Sequence, residues 1–244
     1  MPTGKALSLV ELKSVSTVFF DLIIRRAQYY SHRFVAIVAL RIDTRTAFAD
    51  RHQHSLFRSR EINMALKSSI YKAKLNVTDM DRHVYQEFPL TIACHPSETE
   101  ARMMLRILAF AMHANERLEF GRGISTDNEP DLWQKSLSDD IELWIDLGAP
   151  DESLIRKASG RAKKVILYAY GDRSASVWWS KQERAFKRFS NLRVVQISDD
   201  SLNALAELAS SNMSLQCVIE DGQVVFSSAD HDEFVEVELT LLKE

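Results

Sequence analysis

The sequence predicts an α/β fold: a mixed sheet flanked by helices, with extra antiparallel hairpins at both ends. Three observations carry this. Strand-like and helix-like segments alternate from residue 141 to about residue 210, which implies parallel neighbouring strands. One of those strands, KKVILYAYG, is continuously apolar, the pattern of a strand buried on both faces. The flanking segments carry hairpin signals instead, an acidic connection at Asp79-Met80-Asp81 and an Asp221-Gly222 turn.

Patterned sequence begins at Met64. LKSSIYKAKLNV and HVYQEFPLTIACH are rich in β-branched and aromatic residues and read as the two arms of a long hairpin. Ser97 and Glu100 form a capping box in SETE. The helix it opens has one broad apolar face, Met103, Ile107, Phe110 and Ala114 with Met104, Leu108 and Ala111 beside them, to about residue 116. RLEFGRGI reads as a strand and EPDLW as another, which Pro130 confines to an edge or a bulge. IELWIDLG is the clearest strand: Ile141, Leu143, Ile145 and Leu147 point one way, and Glu142, Trp144 and Asp146 the other. Pro150 opens a helix to about Arg161, with Leu154, Ile155, Ala158 and Ala162 as its apolar side. After KKVILYAYG come a helix carrying Trp178, Trp179, Ala185, Phe186 and Phe189, the strand LRVVQIS and the helix LNALAELAS. LQCVIEDGQVVF closes the pattern as a hairpin, and FVEVELTL is an alternating strand or a tail.

Bulk composition sets limits. At 244 residues, 45% apolar and 27% charged, the chain reads as soluble and globular with room for one sizeable core or one core plus an appendage. A net charge of −3 argues against a generally basic surface, so nucleic-acid contact would need a local patch. Cys94 and Cys217 lack the spacing of a zinc site or a disulfide framework, which fits a reducing compartment. No apolar run is long enough to span a bilayer and the first residues lack the order of a secretion signal, so a cytoplasmic location is expected, with no membrane partner. Charge divides the chain in two. Residues 1–63 hold ten Lys or Arg against five Asp or Glu, whereas residues 64–244 hold 21 against 29. The first segment also lacks a sustained helical stripe or clean alternation. It is expected to be a basic, disordered extension arising from an upstream start assignment, with Met64 the true initiator; the rival is a basic arm that touches nucleic acid or a partner.

The chemistry-bearing stretch is NEPDLWQKSLSDDIELWIDLG. An acid after proline, a short loop and an acid on an apolar strand is how one class of metal-dependent nucleases holds its divalent ion. Mg²⁺ or Mn²⁺ wants hard oxygen ligands and needs only one or two carboxylates. If EPDLW and IELWID pair with Trp133 opposite Asp140, Asp131 falls opposite Glu142 with β-carbons about 5 Å apart. Asp131 and Glu142 are therefore the expected metal ligands. Asp146 would lie about 13 Å beyond Glu142, too far for the same ion. The bland reading of all three is an exposed sheet face. A register slip of one residue would separate the acids. Trp144 stands where such a site carries lysine, so a displaced cation is sought on the next helix, where Lys157 or Lys163 offers a titratable amine and Arg156 and Arg161 do not; Lys157 is the expected one. Upstream, Glu98 lies in the first helical turn, where the dipole favours an acid. Glu116 ends that helix, where it is disfavoured. Both are candidate third acids. No Ser/His/Asp triad, Walker loop or dinucleotide turn is present.

Together MALKSSIYKAKL, MDRHVY, HPSETEARMMLRILAFA, ERLEFGRGISTDNEPDLWQKSL, IELWIDLGAPDESLIRKASGRAK and NMSLQCVIEDG resemble the YaeQ family over residues 64–244. That resemblance implies a restriction-endonuclease-like core, a PD-(D/E)xK variant, with its acid pair at Asp131 and Glu142 and without the usual lysine. The implied function is a Mg- or Mn-dependent nuclease-like protein that acts on or binds nucleic acid. The alternative is a non-catalytic module that keeps the fold and binds nucleic acid or a transcription protein; the family's historical link is to transcription elongation.

Overall fold

The computed structural model describes residues 68–122, 129–230 and 234–244; the expectations for residues 1–63 lie outside the described residues. In chain order the elements are β1 (Ser69–Asp79), β2 (Val84–Cys94), α1 (Glu100–Met112), β3 (Leu118–Phe120), β4 (Leu132–Lys135), β5 (Ile141–Leu147), α2 (Glu152–Arg161), β6 (Ala162–Ala169), α3 (Asp172–Phe186), β7 (Leu192–Ile197), α4 (Asp199–Glu207), β8 (Asn212–Glu220), β9 (Gln223–Ser228), β10 (Phe234–Glu236) and β11 (Leu239–Lys243).

The α/β class is as expected, but the strands form two mixed sheets rather than one. Their orders are β10-β9-β8-β1-β2 and β11-β7-β6-β5-β4-β3. The hairpins expected as separate additions join each other, because β1 runs parallel to β8 with Leu75 beside Leu215 and Val77 beside Cys217. A two-stranded hairpin is marginal alone in water. Each arm buries alternate residues, and only the joined sheet presents Ala73, Leu75 and Val77 with Met213, Leu215 and Cys217 as one apolar face. FVEVELTL divides: β10 pairs with β9, whereas β11 pairs antiparallel with β7 in the other sheet.

Alternation along the second sheet builds two cores. Leu143, Ile145, Leu147, Ile166, Tyr168, Val195 and Ile197 share one core with α1, α4 and the first sheet. Trp144, Val165, Leu167, Leu192 and Val194 enter the other, with Ile155 and Ala158 of α2 and Phe186 of α3. The layers therefore run sheet, helix pair, sheet, helix pair. This double cover is the physical reason that β6 is apolar at consecutive positions.

α1 lies in the middle layer and is buried without interruption from Met103 to Ala111. Its cap is Thr99, whose side chain accepts from the Arg102 amide at 3.2 Å, rather than Ser97. It ends at Met112, short of the expected 116, and Asn115 accepts from the Arg117 amide as the chain turns into β3. Glu98 thus precedes the helix and Glu116 follows it.

Candidate functional site

The pairing of β4 with β5 decides which acids meet. Leu132 stands opposite Ile145, Trp133 opposite Trp144 and Gln134 opposite Leu143, with an irregularity between Gln134 and Lys135. The expected pairing of Trp133 with Asp140 is corrected by four residues. Asp131, one step before β4, is level with Asp146, and Glu142 lies about 13 Å along the strand from that level. Packing sets this register, because it buries Leu132 and Ile145, both 0% exposed, on one face. The expected ligand pair Asp131 and Glu142 is therefore not brought together. The acid dismissed for distance, Asp146, is the one beside Asp131.

Backbone contacts fix Asp131. Gly121 donates its amide to the Asp131 carbonyl at 2.9 Å, and Leu147 donates its amide to Asp131 Oδ2 at 2.9 Å. The carboxylate takes over a ladder position at the end of β5. Gly121 is the residue the first approach requires: a Cβ there would stand 1.9 Å from the Pro130 carbonyl oxygen.

Two arginines of α1 close on this point. Arg102 Nη2 lies 2.7 Å from Asp131 Oδ1 and 2.8 Å from Oδ2, while its Nη1 lies 2.9 Å from Glu98 Oε1. Arg106 Nη2 lies 2.7 Å from Glu98 Oε2 and 2.8 Å from the Ala93 carbonyl, and its Nε is buried without a partner. Arg102 and Arg106 are one helical turn apart, which stacks them on one line, and Glu98, just before the Thr99 cap, reaches both. Asp131 is 8% exposed and Arg106 2%. Burial raises Asp131 above the ordinary carboxylate range despite the Arg102 charge beside it. On Arg102 burial works to lower the value, but Asp131 and Glu98 prevail and leave it raised. The asymmetry follows from the deeper position of Asp131.

Asp146 completes the group from the other face of β5. Burial, opposed by the indole hydrogen bond and reinforced by the charge of Asp131, pushes it up to about 6. Trp144 Nε1 donates to Asp146 Oδ2 at 2.7 Å, and the Asp131 amide also donates to this carboxylate. Trp144 is 5% exposed and meets Trp133 edge-on at 6.5 Å. It positions Asp146 from inside the second core and presents no open face for stacking a base. Two residues beyond Asp146, Gly148 takes φ 108°.

The other expected residues lie elsewhere. Glu142 accepts from Gln134 at 3.0 Å and pairs with Arg117 at 2.9 Å, on the rim of an open depression. The Gln134 hydrogen bond, with Arg117 and Lys163, holds Glu142 below its ordinary range. Glu116 is exposed in the turn before β3. Lys157 is exposed on α2, which covers the face of the second sheet turned away from α1. Of the candidates, only Glu98 and Asp131 join the cluster, bridged by Arg102. The visible signal for the arginines was their i, i+4 spacing inside an otherwise apolar helix, ARMMLRILAFA.

Among the described residues, two mixed sheets, four helices and an arginine-bridged acid cluster at the strand ends define an α/β protein with a buried ionic centre. The family model described as YaeQ protein matches residues 64–238, and the chain belongs to the YaeQ family. It is 45% identical over 177 residues to relatives in Salmonella typhi and Escherichia coli K12, covering 72% of this chain and 97% of each relative. Both are called uncharacterized protein YaeQ, a name that assigns no activity. The crystal structure of YaeQ from Xanthomonas axonopodis pv. citri superposes with a TM-score of 0.69 at 41% identity, covering 72% of this chain and 98% of that one. YaeQ from Pseudomonas syringae gives 0.69 at 40%, covering 72% and 97%. Among the described residues, no helix is long and apolar enough to cross a membrane.

Proposed function

We propose that the Asp131–Asp146 centre is a phosphodiester-cleaving site on a PD-(D/E)xK-like core, acting on nucleic acid with Mg²⁺ or Mn²⁺. The observation that carries the reading is Arg102, whose guanidinium grips both oxygens of Asp131, beside a second, largely buried acid held by the Trp144 indole. Support comes also from the order α1, β3, β4, β5, α2, β6, with Pro130-Asp131 leading into β4 and Asp146-Leu147-Gly148 closing β5.

Two Asp carboxylates suffice for Mg²⁺ in type and number, and the Asp131 amide, which donates to the Asp146 carboxylate, keeps the two acids adjoining. Among the described residues, no three His, Cys, Asp or Glu side chains are grouped to hold a metal. Glu98 therefore belongs to the arginine bridge, and Arg102 competes for the Asp131 oxygens. When bound, such a cation supplies charge neutralisation at the phosphate and activation of the attacking water.

The side chains then divide the work. Arg102, released from Asp131, holds charge developing on the phosphate, the role of the absent lysine, but cannot exchange a proton. Asp146 is largely ionised at neutral pH and accepts a proton, with Trp144 fixing its orientation. Glu98 keeps Arg102 within reach. Gly148 in the lysine place favours a second reading, a non-catalytic module in which Arg102 stays latched and the chain binds nucleic acid or a transcription protein.

Calorimetric titration of Mn²⁺ separates them. Binding is expected in wild type, tighter in Arg102→Ala, and absent in Asp131→Asn and Asp146→Asn. Mn²⁺-dependent cleavage of a labelled oligonucleotide should then follow the same order of dependence on the two acids. No heat in wild type or in folded Arg102→Ala would remove the catalytic reading.

A further inference from the structure

Between the two sheets lies a pocket of about 390 Å³, lined by the end of β1, the β8–β9 turn, the end of α1 and the starts of β6 and β7. It is separate from the acid cluster. Lys164 on its wall stands beside Leu143, three residues before the level of Asp146, which is about 10 Å along the strand. The volume is within the range of sites for small molecules.

The charges of this pocket are unequal in their commitments. Asp79 is held by Arg82 at 2.6 Å, and Arg82 also donates to the Ala111 carbonyl at 3.2 Å. Asp81 accepts from the Asp221 and Gly222 amides at 2.8 and 2.9 Å, tying down the β8–β9 turn. Both acids are thus occupied. Lys164 and Arg193, by contrast, have no carboxylate at ion-pairing distance among the described residues. The register sets Arg193 beside Ile166, so Lys164 and Arg193 lie on the same face of adjoining strands, two residues apart. That face is otherwise core, continuing as Ile166, Tyr168, Val195 and Ile197.

Beneath them, His113 Nε2 and Tyr168 Oη are 2.8 Å apart. Burial, then the charges of Arg82, Lys164 and Arg193, lower His113 to about 3, so the histidine is neutral and adds no positive charge of its own. Ile166, Val195 and Leu239 supply apolar walls. A pocket with an apolar body and two uncommitted cations at one side has the complement of one ligand class.

We propose that this pocket binds a small organic anion, with Lys164 and Arg193 holding a phosphate or carboxylate head and the Ile166–Val195–Leu239 wall taking an apolar body. The inference is independent of the nuclease reading, since it uses none of Glu98, Arg102, Asp131 or Asp146.

The test uses the full chain and phenyl phosphate, followed by NMR at the Met112 methyl and His113 imidazole, with inorganic phosphate and phenol as controls. Phenyl phosphate should perturb both signals and bind at least tenfold tighter than either control. The double variant Lys164→Gln/Arg193→Gln, in which both changed residues are exposed, should keep the wild-type spectrum and lose at least tenfold in affinity. Perturbation of Arg102 instead of Met112 and His113 would place the anion at the acid cluster and overturn the proposal. So would unchanged affinity in the double variant, or phenol or inorganic phosphate binding equally well.

Discussion

Replacing Arg102 by alanine tests the ionic centre most directly. The side chain is 15% exposed and makes three charge-assisted contacts, two to Asp131 at 2.7 and 2.8 Å and one to Glu98 at 2.9 Å. Glu98 retains Arg106 at 2.7 Å, so its charge stays compensated. Asp131 retains the Leu147 amide and the more distant charge of Arg106. Breaking a buried pair by removing one partner costs about 3–5 kcal/mol, and with Glu98 still paired a loss near the lower end, about 3 kcal/mol, is expected at pH 8.

The loss depends on pH in a definite direction. Burial already holds Asp131 above the ordinary range, and removing the nearby positive charge raises it further. An acid with a raised native pKa is protonated preferentially in the folded state. Its penalty is absent below the unfolded value, about 3.9, and complete above the raised native one. Arg102→Ala should therefore lose stability as pH rises through that window, so that the loss is larger at pH 8 than at pH 5. Urea denaturation at the two pH values measures both losses. A loss under about 1 kcal/mol at pH 8, or an equal loss at both, would refute the view that Arg102 is the counter-charge of a buried carboxylate.

Three further outcomes follow from the same geometry. Asp146, raised from 3.8 to about 6, contributes less stability as pH rises between those values, by up to about 3 kcal/mol. Asp146→Asn should flatten that segment of the stability curve, and an unchanged slope would count against it. Trp144→Phe keeps a ring against Trp133 but removes the indole donor, so Asp146 should titrate above about 6 by carboxyl ¹³C NMR, with about 1–2 kcal/mol lost at pH 7. Gly121→Ala drives a Cβ into the Pro130 carbonyl, and about 1–3 kcal/mol should be lost together with Mn²⁺ affinity. Retained affinity there would show that Asp131 does not depend on the Gly121 approach.

Much of the fold was legible locally. The alternation of Leu143, Ile145 and Leu147 in β5, the apolar run of β6 and the Asp-Gly turn between β8 and β9 each reflect a period or a backbone preference contained in a few neighbouring residues. Asp221 and Gly222 both take positive φ, as that turn demands. The site was less legible. Choosing Glu142 over Asp146 rested on an assumed register, and Lys157 was sought as the displaced cation although Arg102 and Arg106 stood unexplained in an apolar helix. A charge inside such a helix is costly unless it is paired, and that cost was the available signal.

By itself the sequence determined which segments are strands and helices, which faces are apolar, and that acids gather around the β4–β5 hairpin. Tertiary structure alone decided that β1 lies beside β8, far away in the chain, and that Asp131 meets Asp146 and Arg102 rather than Glu142. The reason is that periodicity is a property of neighbouring residues. Register, by contrast, is set by what both faces of a strand bury, and here the packing of Leu132 and Ile145 beneath α1 settled it.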